Sequence, residues 1–177
     1  DRIAAVGQTP RPEGAQVVDC AGKAVAPGFI DLHSHSDLQV LENRREKLHQ
    51  GVTTEVVGNC GFSPYPCGEK PEALREFANG IFRGGDRWRY GSAREYLTAV
   101  DRQSSLMGVQ SLVGHGSLRV GLFGNRQDRL SPAELSRIEG ALSDALVGGA
   151  CGMSTGLMYA PGSSAPFAGL VALCKVV

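Results

Sequence analysis

The sequence predicts an α/β fold made of parallel βα units, and three observations carry that reading. Apolar runs of strand length recur four times between residues 27 and 154, each closed by glycine or polar residues. Helix start signals of the Ser-x-x-Glu type stand before the third and fourth runs. No Gly-rich phosphate loop opens a helix, so the nucleotide-binding motif of an open doubly wound sheet is missing. Strands alternating with helices imply right-handed crossovers. Four such units give the N-terminal half of a (β/α)8 barrel over residues 27–177, preceded by part of a small β-sandwich domain over residues 1–26.

Each element has its own signal. Residues 3–6 and 16–19 are short β-type runs separated by Pro10-Arg11-Pro12-Glu13-Gly14. The first barrel strand is Pro27-Gly28-Phe29-Ile30-Asp31-Leu32-His33-Ser34-His35. A charged amphipathic stretch over residues 38–50 reads as a helix, with Gly51 where a C-cap is favoured. Val52-Thr53-Thr54-Glu55-Val56-Val57 is β-branched, as a buried parallel strand should be. Residues 62–90, rich in proline, glycine and aromatics, are expected to form an insertion or lid. Ser92-Ala93-Arg94-Glu95 starts a helix with Tyr96, Leu97 and Val100 inward. The third strand covers residues 107–113 and ends in Gly114-His115-Gly116. Ser131-Pro132-Ala133-Glu134 is a second capping box with proline at the first helical position. Leu135, Ile138, Leu142, Ala145 and Leu146 follow at helical spacing before Gly148-Gly149 ends the helix. The fourth strand is residues 150–154.

Composition narrows the partners. Eighteen basic residues balance eighteen acidic ones with no run of like charge, so nothing draws the chain to nucleic acid or an anionic membrane. The partner expected is a small molecule. Apolar stretches fall well short of the roughly 20 residues a membrane span needs. Five scattered cysteines, Cys20, Cys60, Cys67, Cys151 and Cys174, make no disulfide framework and suit a reducing compartment, so the cytoplasm is the expected location. The chain opens as if inside a β element, and residues 169–177 break off in an apolar helix-like pattern. Both ends read as those of a fragment, whose unpaired strand edges would favour self-association.

The chemistry starts at His33 and His35. Side chains alternate along a strand, so two histidines spaced by one residue project to the same side and can share a metal ion. A strand followed by a helix puts the pair at the carboxyl end of a parallel strand, where α/β barrels place their sites.

Pro27-Gly28-Phe29-Ile30-Asp31-Leu32-His33-Ser34-His35 resembles the opening motif of the amidohydrolase superfamily, metal-dependent hydrolases on a (β/α)8 barrel. Three further stretches narrow the resemblance to the D-aminoacylase branch, the N-acyl-D-amino-acid deacylases. They are Gly58-Asn59-Cys60-Gly61-Phe62-Ser63-Pro64, Gly114-His115-Gly116-Ser117-Leu118-Arg119, and Ser154-Thr155-Gly156-Leu157-Met158-Tyr159-Ala160-Pro161-Gly162. The resemblance implies zinc held by His33, His35 and Cys60, and hydrolysis of the linear amide of an N-acyl-D-amino acid. Superfamily members that open cyclic amides use a carboxylated lysine on the fourth strand, and Ala150-Cys151-Gly152-Met153-Ser154 contains none. In the deacylases a cysteine at the position of Cys60 binds the tight zinc, whereas Cys20, Cys151 and Cys174 read as small apolar residues. Cys67 offers a competing closed structural zinc site with Cys60 and the histidines.

The resemblance further implies that Tyr159 holds the substrate carboxylate, with Ser154 and Thr155 flanking the pocket. A packing role with its hydroxyl at the rim is the other reading of Tyr159. His115 is expected to face the same cavity and orient substrate or support the metal ligands. Asp37 is expected to fix a histidine tautomer. The deacylases take further zinc histidines and a catalytic aspartate from later strands, so no catalytic base is expected within these 177 residues. Two other functions stay open: a cyclic-amide hydrolase of dihydroorotase or hydantoinase type, and a remnant that binds metal without turnover.

Overall fold

The computed structural model describes residues 2–42, 45–82, 90–103 and 107–177. Its centre is a set of parallel strands. β1 (Phe29–Asp31), β2 (Val52–Val57) and β3 (Gly108–Ser111) form one parallel sheet in that order. β4 (Val113–Gly114) pairs in parallel with β5 (Met153–Ser154). Leu112 joins β3 to β4 without a break in bonding: its amide donates to the carbonyl of Val57, and the amide of Val113 donates to that of Gly152. The four expected strands are therefore present, parallel and in sequence order.

β1 stops at Asp31 and does not run to His35 as the sequence suggested. The Asp31 carboxylate accepts the His33 amide, an Asx turn that takes the backbone out of the ladder. Contact with β2 resumes one residue later, where the Ser34 amide donates to the Val56 carbonyl.

The helix expected over residues 38–50 is replaced by two 3-10 turns, Gln39–Glu42 and Leu48–Gln50. Leu38, Val40 and Leu41 are all buried, a spacing that fits no single helical face. Lys47 turns inward to the Asp31 carboxylate at 2.8 Å and to Glu55. Gly51 does supply the left-handed cap, with φ of 85°.

Residues 2–28 carry no strand, so the expected β-type runs at 3–6 and 16–19 stay unpaired. Ile3, Val6, Val17 and Val18 are exposed there. An isolated extended run has no partner for its N–H and C=O groups and does not become a sheet alone.

Five α-helices are described. α1 (Pro71–Ala78) lies inside the segment expected to be an irregular lid, residues 83–89 of which fall outside the described residues. α2 (Ala93–Gln103) begins where the Ser92 hydroxyl accepts the Glu95 amide, and it buries Tyr96 and Val100. The Glu95 carboxylate reaches the Gly91 amide, one residue short of a full capping box. α3 (His115–Phe123) follows β4 directly, where the sequence suggested only the end of a strand. Gly116 and Gly121 hide this helix from propensity rules, because both are needed for packing. A Cβ on Gly121 would come within 2.5 Å of the Pro66 carbonyl oxygen. α4 (Pro132–Val147) has the complete Ser131/Glu134 capping box and buries Ile138, Leu142 and Ala145. α5 (Phe167–Cys174) realises the apolar pattern near the end of the sequence.

The sheet is covered under the helices and exposed at its β1 edge. Val57, Tyr65, Tyr96, Leu118, Ile138 and Leu142 belong to one core under the helices, whereas Phe29 and Ile30 of β1 remain 67% and 59% exposed. No helix among the described residues is long and apolar enough to cross a membrane.

Two substitutions separate capping from packing. Ser131→Ala removes one reciprocal cap and should cost about 1 kcal/mol, whereas Leu142→Ala in the closed core should cost about 2–5 kcal/mol. Urea unfolding of the 177-residue chain measures both, and equal losses would contradict the burial described.

Candidate metal centre

His33, His35 and Cys60 converge at the carboxyl ends of β1 and β2. One ligating atom from each lies within 4.8 Å of the other two, and Sγ of Cys60 is 3.3 Å from Nε2 of His33. The imidazole rings meet edge-on with centroids 5.5 Å apart. The Asx turn at Asp31 swings His33 out of the strand, while the renewed pairing of Ser34 holds the segment that carries His35.

The loop at the end of β2 presents the thiol. Cys60 has φ of 56°, a left-handed conformation that costs a non-glycine residue about 1–2 kcal/mol. Such an outlier persists only where its surroundings over-determine it. Here the surroundings are backbone. A Cβ on Gly58 would stand 2.0 Å from the Leu112 carbonyl oxygen, and one on Gly61 would stand 2.8 Å from the Gly156 nitrogen. Ser154 spans the loop: its hydroxyl accepts the Gly61 amide at 2.9 Å and donates to the Gly58 carbonyl. The Tyr159 hydroxyl donates to the Cys60 carbonyl, and the Asn59 side-chain amide donates to the carbonyls of Ser34 and Val56.

The electrostatics favour a neutral imidazole at His35. Burial lowers the pKa of His35, and the neighbouring His33 lowers it further. The buried Nδ1 of His35 has no hydrogen-bond partner. Burial raises the pKa of Tyr159, with a further push from Cys60, so the hydroxyl stays protonated and can donate. Two imidazoles and a thiol at this spacing suit a zinc-type ion, and three protein donors leave one position open for water or substrate.

The sequence expectations fare unevenly. The three metal candidates come together, and Cys67 does not join them: it is half-buried, its amide donates to Tyr90, and burial raises its thiol pKa. Tyr159 is half-buried, stacked on Phe62 with centroids 5.1 Å apart. Ser154 spends its hydroxyl on the Cys60 loop, and Thr155 is exposed. His115 is 2% exposed and lines a cavity between α3, α4 and α5 to which none of the three metal candidates contributes. Asp37 does not touch a histidine as expected. Its carboxylate accepts the Gly58 amide at 2.7 Å, and burial pushes its pKa well above the usual carboxylate range.

Sequence reasoning missed three supports. Asn59 ties the loop to the His33–His35 segment. Phe62 stacks between Tyr159 and Phe77 and lies edge-on to His35. Lys47, Glu55, Asp31 and Ser34 form a polar cluster on the flank of β1 and β2. The signal for the last was a glutamate in an otherwise β-branched strand.

Comparison with known proteins agrees with this geometry. The amidohydrolase family model matches residues 16–161. An N-acyl-D-glutamate deacylase of Alcaligenes xylosoxydans xylosoxydans is 38% identical over 99% of this chain and 36% of its own length. An N-acyl-D-aspartate deacylase of the same organism is 35% identical over 98% of this chain and 35% of its own length. Among solved structures, N-acyl-D-glutamate deacylase from Bordetella bronchiseptica, complexed with zinc and a phosphonate mimic of the tetrahedral intermediate, superposes with a TM-score of 0.73. It is 38% identical, over 85% of this chain and 31% of that one. The chain thus spans about a third of the length of the curated relatives it matches. With its family model covering most of the sequence and its His-x-His pair and loop cysteine meeting at one rim, the chain belongs to the amidohydrolase family, where it resembles the N-acyl-D-amino-acid deacylases.

Proposed function

We propose that these residues are the zinc-binding portion of a hydrolase that cleaves the linear amide of N-acyl-D-amino acids, giving a carboxylate and a free D-amino acid. The observation that carries the reading is the convergence of His33, His35 and Cys60 at one rim. The strands are then the first four of a closed (β/α)8 barrel, which accounts for the exposed edge strand at Phe29 and Ile30.

His33, His35 and Cys60 would hold the ion, with the imidazoles neutral and the cysteine as thiolate. Zinc bound there supplies Lewis acidity toward a carbonyl and toward water. Tyr159 donates to the Cys60 carbonyl and stands beside the thiol, from where a small rotation turns its hydroxyl to a substrate carboxylate. Thr155 borders the same rim, and Ser154 acts on substrate through the loop it holds. His115 opens α3 and is buried, apart from the three metal candidates.

Among the described residues no carboxylate joins the three donors. The proton of the attacking water is therefore taken by a base in the remaining length that the deacylase relatives possess. That gap also supports a second reading, in which these residues alone bind metal without turnover. A cyclic-amide hydrolase is disfavoured, since no lysine lies in residues 150–154.

Zinc retention after dialysis should fall by about tenfold or more in Cys60→Ser, which exchanges a soft thiolate for a poorly ionised hydroxyl. Cys67→Ser should retain zinc like the parent, and equal losses would favour a closed structural site.

Tyr159→Phe frees the Cys60 carbonyl and should weaken zinc by up to about tenfold. In a full-length protein carrying these residues it should also raise KM for N-acetyl-D-glutamate more than it lowers kcat. Unchanged KM would leave Tyr159 with its packing role alone.

The 177 residues by themselves should associate through their exposed β1 edge, as read by light scattering, and should show no turnover of N-acetyl-D-glutamate with zinc supplied. Turnover by a clean monomer would overturn the assignment of the base.

A further inference from the structure

A second cavity, of about 250 Å³, lies between α3, α4 and α5, and none of His33, His35 and Cys60 lines it. Its wall is largely aliphatic, with Leu130, Ile138 and Leu173 among the lining side chains. One cation enters it. Arg119 is only 2% exposed, its Nε has no hydrogen-bond partner, and its Nη2 reaches only the Asp128 carbonyl at 3.2 Å.

Asp128 and Glu134 favour that cation through space, but neither forms a direct ion pair with it. Asp128 and Glu134 are both engaged by Arg126, and Glu134 also completes the capping box with Ser131. Among the described residues no ion pair reaches Arg119. A buried guanidinium without a direct ion pair, and with its Nε unbonded, is costly, so the site favours an anion.

Two further features point the same way. His115, one helical turn before Arg119, is 2% exposed with a buried, unpartnered Nδ1 facing the same cavity. Burial, with a smaller push from Arg119, lowers its pKa to about 4, so it enters as a neutral ring that can donate one N–H. α5 opens at the cavity with no side-chain cap, and Ala168 and Gly169 of its first turn are among the lining residues. The Gly169 amide already donates to the Pro166 carbonyl, so the Ala168 amide and the helix dipole are what favour negative charge there.

We propose that this cavity binds a small organic carboxylate, a monoanion with a short apolar tail. Arg119 takes the carboxylate, His115 and the first turn of α5 complete its donors, and the tail lies along Leu130, Ile138 and Leu173. One guanidinium matches one negative charge, whereas a phosphate dianion would stay under-neutralised. The volume, below the roughly 300–1,000 Å³ of drug-sized sites, limits the tail to a few carbons.

The probe is hexanoate, titrated calorimetrically into the 177-residue chain, with 1-hexanol as the neutral isostere and inorganic phosphate as the bare anion. Hexanoate should bind, and 1-hexanol and phosphate should each bind about tenfold more weakly or worse, the scale of a lost charge-assisted hydrogen bond. Arg119→Met should reduce hexanoate binding by about tenfold or more. Ala168→Trp, on an exposed helical position at the cavity wall, should block it even if Arg119→Met does not fold. Equal binding of hexanoate and 1-hexanol, tighter binding of phosphate, or undiminished binding in Ala168→Trp would overturn the proposal. So would loss of hexanoate binding in a full-length protein carrying these residues, since the cavity would then be the seat of that protein's own acidic side chain.

Discussion

The hydroxyl of Ser154 bridges two backbone groups of the loop after β2, and the metal-binding geometry depends on that bridge. Serine is suited to the place because one small group can accept from the Gly61 amide while donating to the Gly58 carbonyl. The bridge spans most of the chain, joining the second strand segment to the fourth. It works only because glycine flanks the loop at both ends. Gly58 lies against Leu112, and Gly61 against Gly156, at separations no Cβ would permit. Between these glycines the single residue with a reactive group is turned left-handed, so its thiol faces the histidines.

The rest of the α/β core serves to hold the two strand ends in register. Parallel pairing of β1 with β2 sets the height of His33 and His35 against Cys60. Glu55, buried in the middle of β2, would be costly there alone. Lys47 and the Ser34 hydroxyl satisfy it, and Lys47 also reaches Asp31, the residue whose turn releases His33 from the ladder. The residues that tie the site from its flank are therefore the same ones that shape its entrance.

Much of this was legible beforehand. The second strand was readable to the residue because β-branched runs between glycines leave little freedom, and the Ser131/Glu134 box marked α4 by chemistry confined to four consecutive residues. The histidine pair was expected from alternation along a strand running to His35, whereas the strand ends at Asp31 and the Asx turn shapes the pair; Cys60 came from family resemblance. α3 was hidden because its glycines answer to Pro66 and Gly61, partners distant in sequence. The stretch over residues 38–50 looked helical until Lys47 was drawn inward by acids from two other segments. Ser154 was read as a pocket group for the same reason: its partners are main-chain atoms that no side-chain pattern advertises.

The left-handed Cys60 has a consequence for how the ion comes and goes. In small zinc domains the metal gathers ligands from a disordered chain, so its loss unfolds the protein. Here glycine packing and the Ser154 bridge hold the left-handed loop, so the conformational cost of Cys60 is met by the fold. Binding then orders little that is not already ordered. Such a centre can be stripped and reloaded as a local event, with metal exchange governed by access to the rim and by proton loss from Cys60 rather than by the rate at which the chain folds.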